Sequence, residues 1–246
     1  INLLLMTAKH YGVTLASDGH PQTILRNLIH ALAEQSPQQH VVVLVDEYDK
    51  PLLNHIKNPE QAIPIRDFLR DFYSVLKAND AYLRFLFLTG VSKFSKMSVF
   101  SGLNNLYDLS MDANYATLLG YTQTELEQYF SSHIDHLATT NQQSRDDTLE
   151  KIREWYNGYH FSRKTHPENS VYNPFSTLLL FKSNEFTGHW FETATPTFLV
   201  ELMREHTFRF DLPHNKRVGE SAFDSFEIEN ISPLTLLYQS GYLTIR

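Results

Sequence analysis

Asp46 and Glu47, followed by Tyr48-Asp49-Lys50, close the apolar run Val41-Val42-Val43-Leu44-Val45. Two neighbouring acids can take separate roles, one carboxylate holding a divalent cation while the other takes a proton from water. An unbroken Val/Leu run of this length predicts a strand buried on both faces, as in the parallel sheet of an α/β domain. Open α/β sheets bind ligands beyond the carboxyl ends of their strands, which is where these acids fall. The same pattern also fits a buried strand that simply leaves into a polar loop.

In P-loop nucleoside triphosphatases the equivalent strand is the Walker B element, whose Asp holds Mg²⁺. Such enzymes also carry G-x-x-x-x-G-K-[ST], a loop that cradles phosphates with backbone N–H groups, a Lys and a Ser/Thr. The 246 residues contain no such motif and no Gly-Lys pair, and the nine glycines are scattered. If the acids serve ATP and Mg²⁺, the phosphate loop is expected upstream of Ile1.

Composition narrows the classes. Apolar residues make up 42% and charged residues 20%, ordinary for a globular protein, and the length suits one large domain or two small ones. A net charge of −7 without a block of like charges argues against an electrostatic grip on nucleic acid by this region. The absence of cysteine excludes disulfides and Cys-based zinc sites, is compatible with a reducing compartment, and gives a cytoplasmic expectation. No apolar run approaches the roughly 18 residues of a membrane span.

The elements that must position the acids follow from periodicity. A helix end is predicted over 2–11 with a turn at Tyr11-Gly12. Pro21 opens a second helix with Ile24, Leu25, Leu28, Ile29 and Leu32 on one face, ending near Ser36-Pro37. After the 41–45 strand, Leu52, Leu53 and Ile56 begin a short helix. A longer one covers about 60–78, with Ile63, Ile65, Phe68, Leu69, Phe72, Val75 and Leu76 inward. Tyr82–Leu88 reads as a second buried strand, leaving into Thr89-Gly90. Strand, helix, strand makes a βαβ unit, which brings Thr89 to the same sheet edge as Asp46. Beyond Gly90, residues 91–109 read as an ordered loop. Helices are expected from Thr122/Thr124 to Ile134, with Thr124 and Glu127 as a capping box. Others are expected over Leu149–Trp155, 174–183 and 195–205. Asn141–Ser144 is the most linker-like stretch. Pro233–Ser240 with Gly241–Ile245 reads as helix, turn and short strand, winged-helix-like.

Four segments together resemble the bacterial and archaeal predicted AAA-ATPase family, whose members often carry a PD-(D/E)xK nuclease-like domain at the C-terminus. They are Val45-Asp46-Glu47-Tyr48-Asp49-Lys50-Pro51-Leu52, Leu88-Thr89-Gly90-Val91-Ser92-Lys93-Phe94-Ser95-Lys96, Phe100-Ser101-Gly102-Leu103-Asn104-Asn105-Leu106 and Trp155-Tyr156-Asn157-Gly158-Tyr159. Tyr172-Asn173-Pro174-Phe175 and Tyr238-Gln239-Ser240-Gly241-Tyr242-Leu243 fit the same pattern. The resemblance implies a partial P-loop NTPase-type parallel sheet flanked by helices over 1–110, lacking its N-terminal phosphate loop, and a mostly helical lid over 111–246. It implies Mg²⁺ at Asp46, water activation by Glu47, a sensor role for Thr89, and ATP as the cofactor whose hydrolysis drives an attached effector. Lys93 is the candidate phosphate contact. Protein partners or self-association are expected, nucleic acid only through an attached domain, and no membrane.

Other residues carry weaker signals. Asp49 and Lys50 can orient the loop or pair with each other, Lys96 is a further phosphate or partner candidate, and Arg84 within its strand reads as structural. His133 and His136, with Asp135 between them, have ligand-like types at helical spacing but fit a solvated helix end. Two other functions remain open from sequence. One is a non-enzymatic protein-interaction module on a degenerate NTPase fold. The other is a metal-dependent nuclease using Asp46, Glu47 and Asp49 directly.

Overall fold

A computed structural model of the chain describes residues 1–56, 58–93, 99–100, 103, 105–162, 166–189 and 233–245. The expected helix at 195–205, and Lys96, lie outside the described residues. The chain divides into two compact units. One comprises residues 1–106 with the helix near the C-terminus; the other comprises the remainder from Tyr107, with 241–245.

In the first unit, α1 (Asn2–His10) ends at Tyr11 and Gly12, the glycine at φ 70°. α2 (Pro21–Gln35) starts on a proline whose missing N–H costs nothing at a helix start. It buries Ile24, Leu25, Leu28 and Ile29. β1 (Val41–Val45) is followed by the short α3 (Lys50–Leu53) and by α4 (Pro59–Ala78), which Asn58 caps through its side chain. A 3-10 turn over Asp80–Tyr82 then leads into β2 (Leu83–Leu88). The strands run parallel, with Val42 opposite Phe85, Val43 opposite Leu86, Leu44 opposite Phe87 and Val45 opposite Leu88. This is the expected βαβ unit; among the described residues its sheet has two strands.

Two expectations need correction here. The strands are not buried on both faces: Val42 is 56%, Leu44 68% and Phe85 53% exposed. α2 packs against β1, whose alternate residues Val41, Val43 and Val45 are half-buried, as are Leu83, Leu86, Phe87 and Leu88 of β2. A run of valines satisfies either arrangement, because what covers the second face is not a local property of the strand. On α4 the inward stripe is Ala62, Leu69, Tyr73 and Leu76, while Phe68 faces out and stacks on Phe72 at 6.1 Å.

In the second unit, α5 (Gln123–Tyr129), α6 (Ser131–Thr140), α7 (Arg145–Tyr156) and α8 (Pro174–Ser183) surround Leu126, Ile134, Leu137, Ile152, Tyr172 and Leu180. The capping box is Thr122 with Glu125, two residues earlier than Thr124 with Glu127. Tyr121 exchanges backbone hydrogen bonds with Tyr172, so the chain is extended up to Thr122 and the helix can begin only there. Asn141–Ser144 is a tight turn between α6 and α7 rather than a linker. α9 (Pro233–Gln239) belongs to the first unit, with Leu236 and Leu237 buried. Residues 241–245 form a turn and irregular chain instead of the expected short strand, so the winged-helix reading does not hold there. No described helix is long and apolar enough to cross a membrane.

Candidate functional site

The carboxyl ends of β1 and β2 are tied together beyond the strands themselves. Thr89 N donates to Val45 O at 2.8 Å, and Tyr48 N donates to Thr89 O at 3.0 Å, so the parallel ladder continues into the loops. Between these two bonds the chain must turn, and Glu47 takes a left-handed conformation at φ 51°. Such a backbone is uncommon for a residue with a side chain and persists where its surroundings enforce it.

This turn brings the first acids and the threonine together. Thr89 Oγ1 donates to Asp46 Oδ1 at 2.6 Å, and Glu47 N donates to the same oxygen at 2.9 Å. Asp46 Oδ2 accepts no hydrogen bond from a described residue. Glu47 is exposed, and its Oε2 accepts from Lys50 Nζ at 2.6 Å. That hydrogen bond and the Glu47 charge raise the Lys50 ammonium above its usual range. Lys50 therefore pairs with Glu47, not with Asp49. Asp46, Glu47 and Lys50 border an open cleft of about 480 Å³, closed on its other side by Pro51, Asn54, His55 and Ile65.

A carboxylate with one oxygen oriented by neighbours and the other unengaged suits Mg²⁺, which takes one or two protein carboxylates and fills its remaining positions with water and phosphate oxygens. It does not suit a dedicated protein cage, and no cluster of three His, Cys, Asp or Glu is found among the described residues. The residues would fit a cation that arrives with a phosphate ligand, for which Asp46 Oδ2 would be the protein contact.

Asp49 stands apart from this pair. It is fully buried, and both of its oxygens point at the loop after β2: Val91 N donates to Oδ1 at 3.2 Å, and Ser92 N and Ser92 Oγ each donate to Oδ2 at 2.6 Å. It is not placed to share a cation with Asp46 and Glu47. Lys93 follows directly, its N–H donating to Gln239 Oε1 of α9 at 2.7 Å. Sequence reasoning missed Gly90, where a Cβ would lie 2.6 Å from Asp49 Oδ1 and 2.7 Å from the Tyr48 ring. The signal was present in the Thr-Gly step at the strand end, but its partner lies more than 40 residues away.

The remaining candidates are structural. His133, Asp135 and His136 are exposed, as the solvated reading expects, with His133 beside Phe130 and Phe181 and Asp135 paired with Arg145. Gly158 at φ 116° makes the turn after Tyr156, whose hydroxyl donates to Thr187 O at 3.0 Å. Arg84 sits at an exposed strand position.

Over residues 2–100, comparison with known proteins agrees with the resemblance read from the motifs. Residues 2–100 match the AAA-ATPase-like family, described as "Predicted AAA-ATPase". The chain is 47% identical over 207 residues to the "Uncharacterized protein in vnfD 5'region" of Azotobacter chroococcum mcd 1. That alignment takes in 84% of this chain but spans only 37% of the relative's length. No solved structure matches.

Proposed function

From the place of residues 2–100 in the predicted AAA-ATPase family, we propose that this chain is part of an ATPase module that binds ATP with Mg²⁺ and uses hydrolysis to switch or drive an attached effector. The observation that carries the reading is the 2.6 Å bond from Thr89 to Asp46, made at the carboxyl ends of two adjacent parallel strands. Asp46 would meet Mg²⁺ through Oδ2 while Thr89 and the Glu47 N–H fix its other oxygen. Glu47 would accept the proton of the attacking water, and Lys93 would face a phosphate. Phosphoryl transfer asks a protein mainly for position and charge, and these residues supply both. The reading requires a phosphate-binding loop, which residues 1–246 do not contain. The helices of the second unit, α5 to α8, would then act as the lid of the module.

One observation favours a second reading. The exposed apolar set Val42, Leu44 and Phe85 would suit a protein partner if the fold has lost its nucleotide and serves as an interaction module. One experiment separates the two. In the full-length protein, Glu47→Gln should retain ATP binding and lower the hydrolysis rate by about 10²–10⁴, the range for general-base assistance. Hydrolysis at the parental rate would remove Glu47 from this role, and failure of the parent protein to bind nucleotide would favour the interaction module.

A further inference from the structure

Asp49 is a charged side chain with no exposure to water, and the chemistry proposed above does not use it. A buried carboxylate is costly unless its oxygens are satisfied, and here two backbone N–H groups and a hydroxyl satisfy them. All three donors belong to Val91 and Ser92, immediately after Thr89-Gly90. The main-chain oxygen of Asp49 meanwhile accepts from Leu52 N at 2.9 Å and Leu53 N at 3.0 Å, so it also starts α3. The Tyr48 hydroxyl donates to Ser92 O at 2.9 Å, closing the same loop from the neighbouring residue. Tyr73 of α4 packs alongside; burial, with the Asp49 charge added, raises its phenol to about 12, so it stays neutral beside the carboxylate.

We infer that Asp49 is a positioning residue of the ATPase site: by clamping the loop after β2 to the turn after β1, it holds the Thr89 hydroxyl on Asp46. This rests on the ATPase reading for its kinetic consequence, though not for the clamp itself. The described part of the loop leaving β2 runs from Thr89 to Lys93. Without the clamp, Val91 and Ser92 would lose three hydrogen bonds, and the Thr89 side chain would keep its place only through the bonds it makes itself. Asn in place of Asp49 is nearly isosteric but turns its amide donor toward a backbone N–H, of Val91 at one oxygen position or of Ser92 at the other.

The test uses the full-length protein with Asp49→Asn, Thr89→Ala and the double variant, measuring kcat and KM for ATP alongside amide exchange of the 89–93 segment. Asp49→Asn should lower kcat by about 10–100-fold, the scale of a small misplacement in a site, with KM within about twofold and faster exchange at 91–92. Because Asp49 acts through Thr89, the double variant should be no more than about twofold slower than Thr89→Ala alone. Losses that multiply, or an unchanged kcat, would overturn the inference. If Asp49→Asn does not fold, Ser92→Ala removes one clamp bond and should show a smaller loss with the same non-additivity. If the parent hydrolyses no ATP, the ATPase reading fails, and exchange at 91–92 alone decides whether the clamp exists.

Discussion

Gly90→Ala is the sharpest perturbation available, because it adds one carbon where the turn after β1 meets the loop after β2. The new Cβ would sit 2.6 Å from Asp49 Oδ1 and 2.7 and 2.8 Å from two carbons of the Tyr48 ring, distances that real Cβ atoms do not occupy. Neither neighbour is the loose end of a flexible side chain. Asp49 is held by Val91 and Ser92, and Tyr48 by its bond to Ser92 O and by Phe100, whose ring lies 4.8 Å away. Overpacking of this kind costs about 1–3 kcal/mol. The upper half of that range applies here, since moving Asp49 also lengthens hydrogen bonds to a charged group, each stronger than a neutral one.

Hydrogen exchange by mass spectrometry reads this locally. Converted at about 1.4 kcal/mol per tenfold, the cost means an opening equilibrium about 25–150-fold larger for segments 41–49 and 83–92, with α6 and α7 unchanged as an internal reference. Gly19→Ala is the control: its nearest neighbour would be Ile24 Cγ1 at an ordinary 3.5 Å, so protection should hold. If Gly90→Ala protects β1 and β2 as well as the parent does, the close contact between the two strand-end loops is wrong, and the clamp built on it falls too.

Two further outcomes concern the second unit. Leu126→Ala, at a fully buried position among Ile134, Leu137, Ile152 and Tyr172, should destabilise that unit by about 2–5 kcal/mol in urea unfolding followed by tryptophan fluorescence; a change below about 0.5 kcal/mol would show that this core is not packed as described. Glu125 is held below the usual carboxylate range, first by the Thr122 N–H and then by the Thr122 hydroxyl. Its folded pKa is the lower one, so its contribution is present above the unfolded value near 4.3 and is lost as pH falls through the folded value. The urea midpoint of Glu125→Gln should therefore lie below the parent's at pH 7, and the gap should close in acid; a gap independent of pH would refute the capping-box assignment.

What the sequence made legible was whatever is encoded locally. The two strands, the crossover helix and the meeting of Asp46 with Thr89 followed from apolar runs and from the rule that parallel neighbours align their carboxyl ends. What it hid depends on partners far along the chain. Thr122-x-x-Glu125 and Thr124-x-x-Glu127 are equally good capping boxes on paper, and only the Tyr121–Tyr172 bridge decides between them. A catalytic acid and a buried clamp look alike at Asp49 until Ser92, 43 residues on, is seen to complete it. Phe68 and Tyr73 both fit a helical stripe, and the choice falls on Tyr73 because its neighbours Asp49 and Phe100 lie on that side.

The site also shows where strain and freedom are placed. The left-handed backbone at Glu47 costs about 1–2 kcal/mol for a residue with a Cβ, and the bonds on either side enforce it: Asp46 accepts the Glu47 N–H, Tyr48 N binds Thr89 O, and Lys50 N binds Glu47 O. The backbone of Glu47 is thus determined by both strands while its side chain is not. Its ion pair with Lys50 is exposed on both partners, and such pairs contribute about 0–1 kcal/mol. A carboxylate on a rigid, strained turn, held by a contact that costs little to break, can exchange Lys50 for a water without moving the turn that carries it. That combination is compatible with the proton-acceptor role proposed for Glu47.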